Sequence, residues 1–162
     1  MSDAQVTAVA PVGMITLRGD LEVLGKALKA KTKCALPAQR MRTSAGDRSV
    51  LWMSRDELLL TCDYDEAPAL AETLAKALEG EHATLAVVSD ARAVFDMSGP
   101  DAQAALEKLA PVDFARMADA EVRRTRLAQV PAALWRQGDG WRVVCFRSVG
   151  GYVSELLRTA SA

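Results

Sequence analysis

The run TRLAQVPAALWRQGDGWRVVCFRSVGGYVSELL, residues 125–157, decides the fold class. Residues 125–130, 132–135 and 141–146 have strand character, and Gln137, Gly138, Asp139 and Gly140 supply a hairpin turn between the last two. Beyond Phe146 the period changes. Val149, Val153, Leu156 and Leu157 fall on one face of a helix that would dock on those strands. Strand pieces combined with docked helices predict an α+β domain of mixed sheet and helix, not a bundle.

Working back along the chain, Ser98 is expected to cap a helix beginning at Gly99 and Pro100, with Asp101 at its third position. Ala102, Ala105, Leu106 and Leu109 form its apolar face, and Pro111 stops it. Residues 84–88 and 91–97 read as strands. A helix opens at Pro68, shows Leu70, Leu74, Ala77 and Leu78 on one face, and ends near Gly80. In the first third, residues 12–17 read as a strand, and Gly19 and Asp20 lead into a short helix carrying Leu21, Leu24 and Leu28. Residues 34–49, with Pro37 and Gly46, read as loop before strand character resumes at 50–52 and 58–61. No long linker divides the chain, so residues 1–162 are expected to form one domain, with lobes at 12–80 and 84–158.

A chain of 162 residues, half of them apolar, can bury a core of its own: the size scaling gives about 7,900 Å² exposed when folded against about 25,000 Å² unfolded. Twenty Lys and Arg against 21 Asp and Glu leave a formal charge of −1, which points to no polyanionic or polycationic bulk partner. No run approaches 18 uninterrupted apolar residues, so no membrane association is expected, and the acidic start Met1, Ser2, Asp3 carries no basic leader. Cys34, Cys62 and Cys145 are odd in number and lie in unrelated contexts, which fits a reducing cytoplasm.

Three segments carry a resemblance. The first is Val50, Leu51, Trp52, Met53, Ser54, Arg55, Asp56, Glu57, Leu58, Leu59, Leu60. The second runs from Ser89, Asp90, Ala91, Arg92 through Phe95, Asp96, Met97, Ser98, Gly99, Pro100 to Leu109, Ala110, Pro111, Val112, Asp113, Phe114. The third runs from Thr125 through the hairpin to Phe146, Arg147, Ser148, Val149, Gly150, Gly151, Tyr152, then Leu156 and Leu157. In this order they resemble the gamma subunits of heterotetrameric sarcosine oxidase, whose fold is similar to the folate-binding modules of aminomethyltransferases. The resemblance implies a complex with alpha, beta and delta chains that oxidatively demethylates sarcosine to glycine and passes the one-carbon unit to tetrahydrofolate. It places FAD, FMN and NAD in the larger chains, and zinc in delta, with no cofactor bound by this chain. The shared segments offer no assignable catalytic acid, so no catalytic residue is carried over and a non-catalytic assembly role follows, with an alpha-like chain as the direct contact. The alternatives are a standalone folate-dependent one-carbon transferase and a folate-binding sensor.

The residues themselves support partner contact more than chemistry. From Lys26 to Arg48 seven basic residues face the single acid Asp47, a local balance of +6, and Arg40 and Arg42 are taken as contact residues. A groove-reading element or stacking surface for nucleic acid is missing from this stretch, so a protein partner is favoured. Arg147 can pair with a carboxylate, and Trp141, after the glycine turn, is read as an exposed contact, whereas Trp52 and Trp135 suit core or interface equally. Tyr152 is expected to pack on the last helix. The Ser54–Glu57 turn reads as a helix-start cap in preference to a contact with another subunit. Asp90 and Asp96 would be an acid–base pair only if folding brought them to one buried cleft, and turn roles are favoured. His82, beside Glu81 after a helix, reads as a solvent-facing junction, and the three thiols as apolar packing without metal spacing. Arg147, Ser148, Val149, Gly150 and Gly151 lack the spaced glycines of a dinucleotide fingerprint, and no Walker lysine follows Gly99.

Overall fold

Two five-stranded antiparallel sheets organise the chain in a computed structural model that describes residues 3–162; Met1 and Ser2, part of the acidic start, lie outside them. The chain divides into two compact units. One is the contiguous segment Val12–Ser89, and the other combines residues 3–11 with Asp90–Ala162.

In the contiguous unit the elements are β2 (Gly13–Arg18), α1 (Leu21–Thr32), β3 (Arg42–Ala45), β4 (Arg48–Ser54), β5 (Glu57–Cys62), α2 (Ala67–Ala77) and β6 (Thr84–Val87). They follow β1 (Gln5–Ala8), which belongs to the other unit. The sheet order is β3-β4-β5-β2-β6. Helix α1 starts because the Asp20 carboxylate accepts from the Glu22 and Val23 N–H groups at 2.9 and 3.2 Å, satisfying two of the four donors that a helix start leaves open. It stops at Lys33, whose left-handed φ of 64° turns its N–H back onto the Lys29 carbonyl at 3.0 Å. Leu24, Leu28, Leu70 and Leu74 from α1 and α2 close over Ile15, Leu17, Val50, Leu58 and Leu60, so both helices cover one face of the sheet. Gly25 leaves room for the Leu36 side chain against α1, since a Cβ there would lie 2.8 Å from it.

The other unit contains β1, β7 (Arg92–Ser98), α3 (Ala102–Glu107), β8 (Val122–Leu127), β9 (Val130–Gln137), β10 (Gly140–Phe146) and α4 (Gly150–Ala160), with sheet order β1-β7-β10-β9-β8. Leu106, Val153 and Leu157 pack on Phe95, Met97, Leu134, Val143 and Cys145, again placing two helices on one sheet face. The β9–β10 hairpin turns at Gln137 and Gly140, which pair across it, as the glycine run predicts. Gly140 cannot carry a side chain: a Cβ there would fall 2.1 Å from the Met97 carbonyl oxygen.

The α+β reading therefore holds, with four local corrections. Residues 42–45 form an edge strand inside what reads as loop, because β3 is held by backbone pairing to β4 and shows little apolar alternation. The strand Gln5–Ala8 is likewise silent in the sequence. Val130 opens β9 instead of closing β8, the turn falling at Ala128, whose φ is 50°. Ser98 ends β7 and caps nothing: α3 begins at Ala102 after Asp101, without a side-chain cap. The Asp101 carboxylate is used elsewhere, accepting from the Asp3 N–H at 2.9 Å.

Candidate partner interface

The basic segment is built around the end of α1. Lys29 and Lys31 sit in its last turn, where cations meet the negative end of the helix dipole, and Lys26, Lys29, Lys31 and Lys33 are exposed. Buried Thr32 anchors this end by donating its hydroxyl to the Leu28 carbonyl at 2.7 Å and accepting from the Cys34 N–H at 3.2 Å. Arg40 is exposed at a turn closed by the Met41 N–H on the Ala38 carbonyl at 3.0 Å, and its φ of 60° is the left-handed conformation that side chains rarely adopt. Arg42 is half-buried on β3.

Arg48 is consumed internally. Its guanidinium makes a two-point contact with the Glu66 carboxylate and donates through Nη1 to the Lys31 carbonyl at 3.4 Å, joining β4, the entry of α2 and the exit of α1. The hydrogen bond to Glu66 is the main reason its pKa is raised. Beside this link lies a cleft of about 440 Å³ whose charged lining residues are Lys31, Lys33, Arg48, Asp47, Asp63 and Glu66. Both signs are present in equal number, and the lining has no aromatic wall. No group of three His, Cys, Asp or Glu among the described residues is placed to hold a metal ion.

Arg147 opens a one-turn 3₁₀ segment between β10 and α4, is exposed, and donates through Nη1 to the Asp90 carbonyl at 3.3 Å. Next to it Phe146 is 46% exposed with the Arg92 guanidinium 4.5 Å from its ring centre, a cross-strand pair in register. Tyr152 is 47% exposed, so it does not pack the last helix: the buried face of α4 is set by Val153 and Leu157. Neither Phe146 nor the Arg92 contact is singled out by sequence reasoning, although Phe146 falls on the face of β10 opposite Trp141, Val143 and Cys145.

Trp141 is not a surface contact. It is 3% exposed, its ring edge-on to Phe114 and its face under Arg136 at 4.4 Å, because strand alternation points it with Val143 and Cys145 into the helix-covered core. Trp135 is buried and donates Nε1–H to Gln137 Oε1 at 3.3 Å; Trp52 is half-buried against the core of its own contiguous unit.

The remaining polar candidates are structural. The Asp96 carboxylate is bound at both oxygens by Arg142 at 2.7 Å across the β7–β10 pair, and Asp90 lies in a short 3₁₀ turn. The Ser54–Glu57 turn closes the β4–β5 hairpin, not a helix start. Ser54 Oγ donates to Asp56 Oδ1 at 2.6 Å, which holds that carboxyl below its usual range, while Arg18 contacts Glu57 at 2.9 Å and Asp56 at 3.7 Å. His82 is exposed. All three thiols are buried and unbridged; burial pushes Cys62 up to about 11 and raises Cys145 as well, the opposite of nucleophile activation. Cys34 Sγ donates to the Arg48 carbonyl at 3.5 Å.

Comparison with known proteins adds an independent finding. The family described as "Sarcosine oxidase, gamma subunit family" matches residues 22–162. The sarcosine oxidase subunit gamma of Corynebacterium sp. (strain U-96) is 39% identical over 125 residues, covering 73% of this chain; the matched part spans 59% of that relative's length. A chain of the heterotetrameric sarcosine oxidase from Corynebacterium sp. U-96, solved in complex with pyrrole 2-carboxylate, superposes with a TM-score of 0.89 at 29% identity, covering 98% of this chain and 83% of that one. The glycine cleavage system aminomethyltransferase T from Bartonella henselae shares the fold at a TM-score of 0.73 and 15% identity, over 96% of this chain and 45% of that one.

Proposed function

This chain belongs to the sarcosine oxidase gamma subunit family, and from that membership we propose that it is a non-catalytic subunit supporting assembly of a heterotetrameric sarcosine oxidase. The alpha, beta and delta chains are its partners, with an alpha-like chain in direct contact. The complex demethylates sarcosine oxidatively to glycine and delivers the one-carbon unit to tetrahydrofolate. FAD, FMN and NAD, and zinc in delta, belong to those larger chains, and the assembly is cytoplasmic. No helix among the described residues is long and apolar enough to cross a membrane.

The observation that carries this reading is the likeness over 98% of the chain to a component of a solved heterotetramer. The residues support it chemically. The described cleft has ammonium and carboxylate walls and offers no stacking face for a flavin or pterin ring, and the Asp96 carboxylate is saturated by Arg142, leaving it poorly placed to hold a substrate proton. What the surface does present is charge. Lys26, Lys29, Lys33 and Arg40 are exposed on the contiguous unit, a cluster suited to steering an acidic protein surface, and Arg147 is exposed on the other unit. Arg40, Arg42 and Arg147 are the proposed contacts; Trp141 is not among them.

Coexpression with alpha, beta and delta chains tests the proposal. A mixed complex holding one copy of this chain is the expected result, with no flavin and no sarcosine turnover in the chain purified alone. Turnover by the isolated chain, or failure to enter the complex, would overturn it.

A further inference from the structure

We propose that one rim of the β1-β7-β10-β9-β8 sheet docks an acidic segment of a partner subunit. The surface is the row Arg92, Phe146, Pro131 and Arg126: the segment lays an apolar side chain on the two middle residues and a carboxylate against the arginine at each end. This rests on the subunit reading above and names a surface and a partner chemistry that reading leaves open.

Strand register builds the row. Phe146 of β10 stands opposite Arg92 of β7, and Arg126 of β8 stands opposite Pro131 of β9. Cys145 pairs with Ala132, so the next step of the β9–β10 register sets Phe146 beside Pro131. Residues opposite one another share a face, here the one turned away from α3 and α4. Phe146 is 46% exposed, and Pro131 and Arg126 are exposed as well. One step inward Val94, Val144 and Ala133 are buried, so the open apolar surface of this strand face lies at the rim. The Arg92 guanidinium, 4.5 Å from the Phe146 ring centre, already stacks on that ring.

Charge selects the occupant. On this face the strands carry Arg92, Arg124, Arg126 and Arg142 against Asp96, and both Asp96 oxygens are held by Arg142 at 2.7 Å. Just beyond the row, exposed Arg147 offsets Asp90, whose carbonyl it holds. The excess is cationic. A second copy would set arginine row against arginine row, whereas an acidic segment finds a guanidinium on either side of its apolar contact. A nucleic acid strand gains most from an open stacking platform, and here Arg92 is already stacked on the exposed ring. Spacing agrees with an extended segment. Three strand separations put the Arg92 and Arg126 backbones about 14 Å apart, close to the roughly 13 Å between residues i and i+4 of a chain in β conformation, with residue i+2 above the apolar pair.

The test footprints arginines with phenylglyoxal in the free chain and in the complex formed by coexpression with alpha, beta and delta chains, reading modified sites by mass spectrometry. Labelling of Arg126 is expected to be lost in the complex. Phe146→Ala should lower the recovered complex about tenfold at every salt concentration. Arg126→Glu should lower it several-fold at low salt, with the deficit shrinking as salt rises. Should Phe146→Ala melt early, Arg126→Lys decides: it keeps the charge, and carbodiimide should couple its amine to an Asp or Glu of the partner; no such product overturns the carboxylate contact. Complex formation with Arg126 labelled as in the free chain overturns this inference and leaves the subunit reading standing, whereas no complex overturns both. Protection that grows with the concentration of the free chain alone assigns the row to a second copy, and protection that nuclease removes assigns it to nucleic acid; either overturns the acidic-segment assignment.

Discussion

Phe114 meets Trp141 edge-on, with ring centres 4.9 Å apart and planes at 85°. Both rings are buried in the core beneath α3 and α4, so the pair holds the loop after α3 onto β10. Trp141→Ala should destabilise the free chain by about 3–5 kcal/mol in denaturant unfolding, and Trp141→Phe by less. A Trp141→Ala chain of unchanged stability that lost only partner binding would contradict this placement.

Arg48 acts as an internal tie. Because its guanidinium serves both the Glu66 carboxylate and the Lys31 carbonyl, Arg48→Met leaves a carboxylate and a helix-end carbonyl without their donor. The group is half-exposed, which tempers the cost to about 1–2 kcal/mol. Chemical melts of Arg48→Met, Glu66→Gln and the double variant should reveal coupling between the two positions; additive losses would refute the tie.

Cys62 makes stability depend on pH at the alkaline end. The unfolded thiol ionises near 9.0 and the folded one only near about 11, because burial disfavours the thiolate. Between those values the unfolded chain has released the proton that the native chain keeps, so stability declines as pH rises from about 9 through 11. Cys62→Ala should flatten that decline in unfolding curves taken across this range. Native thiols should also resist a disulfide reagent at pH 8 and react once the chain is unfolded.

Charge reversal should separate contact from fold. Arg40→Glu and Arg147→Glu alter exposed groups and should leave the melting temperature nearly unchanged. Each is expected to weaken association with the larger chains by about three- to tenfold at low salt, with the difference shrinking as ionic strength rises. Equal recovery of the complex at every salt concentration would remove these arginines from the interface.

The sequence disclosed the elements whose cause is local. Asp20 followed by Leu21, Leu24 and Leu28 announces α1, and the Gln137–Gly140 turn between apolar runs announces the β9–β10 hairpin. What stayed hidden depends on distant pairing. Strand β3 has the sequence Arg-Thr-Ser-Ala and exists because β4 offers a ladder, while Ser98 is drawn into β7 opposite Gln5 instead of capping a helix. Trp141 was legible in principle: its spacing of two from Val143 and Cys145 marks the core face, a stronger signal than its place beside a glycine turn. Arg40, Arg42 and Arg147 stand out in the sequence by charge alone.

The pairing of Gln5–Ala8 with Phe95–Ser98 sets a timetable for synthesis. At roughly 5–20 residues per second, translation supplies the mate of that early strand about 5–20 s after the strand itself. Everything from Val12 to Ser89 is made during the wait, and it closes its own sheet from contiguous chain. The strand Gln5–Ala8 thus stays unmatched while the sheet that follows it is being made, and a chaperone that shields those few residues would act in that interval.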